Sequence, residues 1–259
     1  MNFGLYTAAS GALANMHRMD TFANNLANIE TAGFKPVISS LRQRDPVRQE
    51  DGVFNLPSNS MLERLGGGVM QMPPRIQWQQ GAPQRTGLPL DVALDGPGFL
   101  VLDAGDNNPG EVRFSRDGRL TMNNSGTLVQ RGTGLPVLDQ DNRPITLTGG
   151  GQASISKDGQ VIQDGKAIAR LQTATVADLT RLRPIGDGLF SAPKAVMEAR
   201  TDSTNTAVIP GSIERSAVDP IKTMTDITAA ERSISGSLRL IQLQDQLMDR
   251  AINTFGRMA

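Results

Sequence analysis

The sequence predicts an α+β chain in which a long helix at each terminus flanks an all-β centre. Three observations predict it. Apolar residues recur in seven-residue repeats at both ends, the middle hundred residues switch to a period of two, and most of the 27 glycines and 15 prolines sit away from the ends. The expected organisation is an N-terminal helix over 1–33, a loop-rich linker over 34–87, an all-β domain over 88–192, a returning linker over 193–217 and a C-terminal helix over 218–259. The two helical stripes lie almost the whole chain apart, so they pair with each other as a coiled-coil stalk or with other chains; an isolated helix cannot hide an apolar face.

Residues 3 to about 29 read as one helix, about 40 Å long. Leu5, Ala9, Ala12, Met16, Met19, Ala23 and Leu26 alternate steps of four and three, and a second stripe of Ala12, Met19, Phe22, Leu26 and Ile29 lies beside them. Besides His17, only Arg18 and Asp20 carry charge in this stretch. A solvated helix normally presents a charged outer face, so several faces are expected to be covered in the working state. A core helix of a globular domain would look the same. Thr31-Ala32-Gly33 ends the helix, with Gly33 suited to a left-handed cap and Pro36 preventing its resumption.

Val37 to about Gly87 is irregular and rich in turn residues, with short extended pieces such as Val69–Met72. The triplet Gly66-Gly67-Gly68 lacks the Gly-Lys-Ser/Thr ending of a phosphate loop and reads as close-packed or flexible backbone. From Pro89 to about Ser191, Asp91–Asp95 alternates and Phe99–Leu102 is continuously apolar. Hairpin signals follow at Asp117-Gly118, Ser125-Gly126, Asp158-Gly159 and Asp164-Gly165. Strands are expected near Val112–Phe114, Thr127–Gln130, Ile145–Leu147 and Ala167–Leu171, with one helical turn over Ala177–Leu182. Asp219-Pro220 then opens the last helix, Asp as N-cap and Pro as first helical residue. Its stripe is Met224, Ile227, Ile234, Leu238, Ile241, Met248, Ile252 and Phe255, interrupted at Glu231 and Asp245, and Leu240, Leu243, Leu247 and Ala251 add a second row.

Composition narrows the function. Twenty-six basic against 26 acidic residues argue against a nucleic-acid partner. No cysteine and one histidine exclude disulfides, thiolate metal sites and a histidine-rich zinc site. No segment approaches the roughly 20 apolar residues of a membrane helix, so no membrane insertion is expected. The N-terminus lacks the basic start and apolar block of a cleavable signal. Ser10 and Ser115 have no activating context, Asp91 and Asp95 read as solvated carboxylates, and Asp103, Asp106, Asn108 and Glu111 miss the spacing of a calcium loop. No enzyme, cofactor or metal is therefore expected.

Asn24-Asn25-Leu26-Ala27-Asn28-Ile29-Glu30-Thr31-Ala32-Gly33-Phe34-Lys35 closely resembles the N-terminal motif of the bacterial flagellar rod and hook axial proteins. Asp91–Phe99, Phe114-Ser115-Arg116-Asp117-Gly118, Gly188-Leu189-Phe190 and Gly211–Pro220 resemble that family's later blocks, in order. The opening Gly4–Gly11 and the block Gly66–Val69 look most like proximal-rod members, with distal-rod members next. Where relatives usually show Gln-Arg-Ala-Tyr, this chain has Glu231-Arg232-Ser233-Ile234, and Ile234 keeps the stripe apolar.

The resemblance implies terminal helices paired in an inner tube, a linking layer and an outer β domain. It implies export through the flagellar type III apparatus without a cleaved signal, and helical polymerisation in the periplasm with copies of itself and other rod proteins. The two stripes are the expected contacts. Asn24, Asn25 and Asn28 are expected to hydrogen-bond neighbouring groups and fix register. A soluble adaptor with a paired-helix stalk is the alternative from periodicity alone.

Overall fold

A computed structural model describes residues 3–45, 66–104, 111–148, 151–193, 201–202 and 205–255. It is α+β, with a helix near each terminus and a β-rich centre. The chain divides into two compact units. One comprises residues 1–27, 37–75 and 219–259; the other comprises 28–36 and 76–218.

The first unit holds both long helices, α1 over Phe3–Ala27 and α2 over Pro220–Phe255. Asp219 caps α2 as its sequence requires, its carboxylate accepting from the N–H groups of Ile221 (3.0 Å) and Lys222 (3.2 Å). The helices pack antiparallel, since Gly4 abuts Gln244, Gly11 faces Ser237 and Asn15 reaches Ser233. Leu41–Gln43 pairs antiparallel with Val69–Gln71 in the same unit. There Gly68 (φ +93°) lies against Ser10, whose hydroxyl accepts from the Val69 N–H (3.3 Å). Glycine is required because a Cβ would collide with that hydroxyl. The short extended pieces expected in this loop-rich segment include the strand Val69–Gln71; the part of the expected loop over 46–65 lies outside the described residues.

The second unit centres on a six-stranded antiparallel sheet. Its order is Arg183–Gly186, Leu189–Ser191, Val112–Ser115, Phe99–Asp103, Thr173–Thr175, Thr201–Asp202. The unbroken apolar run Phe99–Leu102 within that fourth strand reflects burial on both faces. Phe99 and Val101 join Phe114, Ala174 and Phe190 in one core, while Leu100 and Leu102 join Leu120, Leu128, Val137 and Ile145 in another. Trp78 completes the aromatic cluster, 5.5 Å from Phe99 and 5.0 Å from Phe190 between ring centroids.

Three of the four expected hairpins form. Asn123–Gly126 joins Leu120–Met122 to Leu128–Gln130, and Asp158-Gly159 joins Ala153–Ile155 to Gln160–Gln163. Asp164 (φ +50°) and Gly165 (φ +79°) turn the chain into Lys166–Arg170, the double positive φ that Asp-Gly favours. Asp117-Gly118 makes no hairpin. Its two flanking strands pair with other partners, because the Asp117 carboxylate holds the Arg119 guanidinium (2.7 and 2.9 Å) and the Gly118 carbonyl accepts from the Val92 N–H. Ile145 and Leu147 are buried but form only isolated bridges around Thr146 and Pro144 instead of a strand. The expected helical turn is a 3₁₀ turn over Leu179–Arg181, capped by Asp178. Two hydrogen bonds from Thr180 hold the exposed Asp178 carboxyl below the usual range.

Candidate assembly interface

Apart from Asp226, which is also half-buried, the covered positions in α2 are Thr223, Ile227, Ala230, Ile234, Ser237, Ile241 and Gln244. Their steps of four and three define one seam toward α1. It shares the Ile227–Ile234–Ile241 row with the expected stripe but takes a different companion row. Thr223, Ala230, Ser237 and Gln244 replace Met224, Glu231, Leu238 and Asp245. The reason is distance. Opposite this row α1 offers Gly4 and Gly11, and a side chain at Gly4 would run into the Gln244 amide. Small groups let the backbones approach, whereas Met224 and Leu238 would hold them apart. Met224, Leu238 and Ile252 therefore stand on an outer flank, and Leu240, Leu243 and Leu247 on the other.

The same division runs along α1. Ala12 is buried, and Ala9, Met19, Phe22 and Leu26 are half-buried. Leu5, Met16 and Ala23 of the expected stripe are exposed, as are Tyr6 and Leu13. Arg18 covers the Phe22 ring at 5.7 Å, and the Tyr6 hydroxyl accepts a hydrogen bond from Arg44. With 36 residues against 25, α2 also continues past the position opposite Gly4. Leu247, Met248 and Ile252 occupy that extension and are at least half exposed, Ile252 at 68%. The side chain of Phe255 lies outside the described residues.

Asn25 is buried and bonds both polar groups of Val37: its amide donates to the carbonyl (2.7 Å) and its oxygen accepts from the N–H (2.9 Å). Asn28 accepts from the Thr31 hydroxyl. Asn24 is exposed and has a polar partner. In the chain's departure Ser233-Ile234, Ile234 lies in the seam and Ser233 at its exposed edge, where the Ser233 hydroxyl accepts from the Asn15 amide (3.0 Å).

The second unit holds a buried ion cluster that sequence reasoning missed. Glu214, 1% exposed, accepts from Lys35 Nζ (2.5 Å), Arg116 Nη1 (3.3 Å) and the Gly81 N–H (2.9 Å). Lys35 also donates to the Gln79 carbonyl, and Arg116 to the Gly96 carbonyl, with its guanidinium 4.8 Å from the Phe99 ring centre. Backbone bonds run alongside, from the Gly33 N–H to the Glu214 carbonyl (2.8 Å) and from the Ala217 N–H to the Phe34 carbonyl (3.2 Å). Gly33 (φ +69°) has no room for a Cβ, which would strike the Arg116 backbone. Two separated sequence motifs and the Gly81 backbone thus converge on a carboxylate carried by a third motif. Burial lowers the pKa of Lys35 and of Arg116, and the Glu214 charge offsets part of that. Losing Glu214 would leave two buried cations facing each other, a change that costs about 3–5 kcal/mol in such settings.

Of the remaining candidates, Asp91 is buried instead of solvated, and the two serines have structural partners. Ser115 Oγ donates to the Gly188 carbonyl and accepts from Gln130 and the Asp117 N–H. Ser10 is engaged with Thr7 and Val69, and His17 is exposed on α1. Asp106 and Asn108 lie outside the described residues.

Two family models match the chain's ends. Residues 5–35 match the flagella basal body rod protein model, and residues 209–254 match the flagellar basal body rod FlgEFG protein C-terminal model. Across the whole length, the chain is 31% identical to the flagellar basal-body rod protein FlgF of Rhizobium meliloti, covering 99% of both chains. It is 29% identical to FlgF of Caulobacter vibrioides, again over 99% of each. The rod protein FlgG of Agrobacterium fabrum shares 31% identity over 94% of this chain and 95% of its own. The matched ends contain the helix pair and Lys35 and Glu214 of the ion cluster. The chain therefore belongs to the flagellar basal-body rod protein family, as a FlgF-like structural subunit of the rod.

Proposed function

We propose that this subunit polymerises helically into the proximal rod, its α1–α2 pair acting as a coiled coil in the shaft and the open flanks of α2 receiving neighbouring subunits. The carrying observation is the placement of apolar residues on α2. One row is used within the chain, while Met224, Leu238 and Ile252 on one flank and Leu240, Leu243 and Leu247 on the other stay in solvent. An apolar surface of that extent on a water-soluble chain is an interaction surface.

In this reading residues 1–33 and 218–259 are axial, 34–87 and 193–217 form a linking layer, and 88–192 form the outer domain. Leu5, Met16, Met224, Leu238, Met248 and Ile252 act between subunits, and Ile227, Ile234, Ile241, Ala12 and Met19 act within one. Asn25 stiffens the chain after α1 through Val37. The partners are further copies of the chain, other rod proteins and the flagellar type III export apparatus. Export proceeds without a cleaved signal, and assembly takes place in the periplasm. Helices with such uncovered faces fold fully only on docking.

Ending the chain after Val218 tests this. The rod reading expects loss of motility and of the protein from purified basal bodies, while Trp78 fluorescence keeps its native character. A truncated chain that still incorporates would refute it, and one that retains a soluble partner would favour an adaptor.

A further inference from the structure

We infer that Glu214 is a positioning residue for assembly: its buried carboxylate clamps the chain leaving α1 to the chain leading into α2, and so selects the heptad register in which those helices pair. The inference rests on the coiled-coil reading above.

The seam alone is a poor ruler. Ile227, Ile234 and Ile241 recur every seven residues, and so do Gly4 and Gly11 opposite them. A slip of one heptad therefore puts apolar groups against apolar groups again and sets Gly11 opposite Gln244, the side chain that Gly4 already faces, with Ala251 opposite Gly4. The Asn15–Ser233 bond would notice the slip, but it is exposed and competes with water.

The clamp is a better ruler. Gly33, bonded to the Glu214 carbonyl, lies six positions after Ala27, where α1 ends; Glu214 lies six positions before Pro220, where α2 begins. Both arms are short and internally bonded, one through Thr31 and Asn28, the other through Ser216 and Val218. A heptad slip moves one helix along the other by about 10 Å. Arms of six residues absorb that with Gly33 and Glu214 still joined only by breaking those internal bonds and extending, so the clamp sets a cost on the slip. The clamp is held by charge as well as shape. Lys35 and Arg116 both face the carboxylate, so replacing it by a neutral amide leaves two cations opposed and opens this point in particular.

The chain contains no cysteine, so register can be read by disulfide trapping in the full-length protein, both purified and in basal bodies. The G11C with S237C pair reports the observed register, in which a Cβ at Gly11 would lie 3.9 Å from the Ser237 hydroxyl. The G11C with Q244C pair reports a slip of one heptad and is out of disulfide reach otherwise. With Glu214 intact, only the first pair is expected to close. In Glu214→Gln the second should close roughly tenfold more than before, a shift of one decade in the register equilibrium. Glu214→Asp, which keeps the charge, should restore most of the original preference.

Trp78 fluorescence reports whether the β unit remains folded. If Glu214→Gln disrupts it, Lys35→Met decides instead, because that variant keeps the Arg116–Glu214 pair. An unchanged slipped yield in a folded variant overturns the inference, as does closure of both pairs, or of neither, with Glu214 intact. Failure of the unaltered protein to enter basal bodies would count against the rod reading and leave the register measurement standing.

Discussion

The β unit encloses Phe99, Leu100, Phe114 and Leu128 almost completely, whereas the helix pair leaves Leu240, Leu243, Leu247 and Ile252 exposed. Both regions are rich in apolar residues, so composition does not separate them. What separates them is the number of faces to be covered. A strand such as Phe99–Asp103 has two faces, and the sheet places a core on each. Along α2 three apolar rows run side by side, and one partner helix can cover only one of them. The β unit is finished by its own chain, and α2 presents rows that only further helices can cover.

The comparison can be broken most forcefully in the β unit. Phe99 is fully buried, contacts three aromatic rings and lies under the Arg116 guanidinium. Phe99→Ala is expected to destabilise that unit by about 3–5 kcal/mol. Chemical denaturation followed at Trp78 would measure it, and a loss below 1 kcal/mol would show that the cluster repacks freely.

A smaller effect concerns pH. Burial lowers the pKa of Lys35 in the folded chain, so between that value and 10.5 the folded state holds fewer protons than the unfolded one. The penalty for burying the ammonium is present in full below the folded value and fades as pH rises to 10.5. Relative to Lys35→Met, the unaltered chain should therefore gain stability as pH climbs through that window. Paired denaturation curves at neutral and alkaline pH would show a gap moving the other way if Glu214 outweighed burial.

The smallest effect on folding should come from the open rows. Leu243→Gln with Leu247→Gln is expected to change monomer stability by no more than about 0.5 kcal/mol each, since both side chains are already in solvent. The same variant should be nearly absent from basal bodies. Normal incorporation would mean that these leucines face nothing in the rod.

How much of this was legible in the sequence depends on range. Asp219-Pro220 and Asp164-Gly165 act on their own backbone, and both formed the cap and the turn they signal. The seam of α2 was only half legible. Ile227, Ile234 and Ile241 announce themselves, but Thr223, Ser237 and Gln244 are polar and Ala230 gives only a weak apolar signal, and this row lies where Gly4 and Gly11 let the helices approach closely. The ion cluster was hidden because Lys35 and Glu214 meet across 179 positions, and each reads locally as a charge in a turn. A charge inside each of three glycine-containing motifs was the available hint.

The Asp164-Gly165 corner has a practical side. Space around Gly165 is open, with no atom near where a Cβ would point, and the strands on either side are fixed by their own ladder. Loop tips of that kind accept inserted peptide with little disturbance. A short epitope or dye-capture tag spliced there would ride on the intact subunit, giving microscopists a landmark for following a motor under construction in living cells.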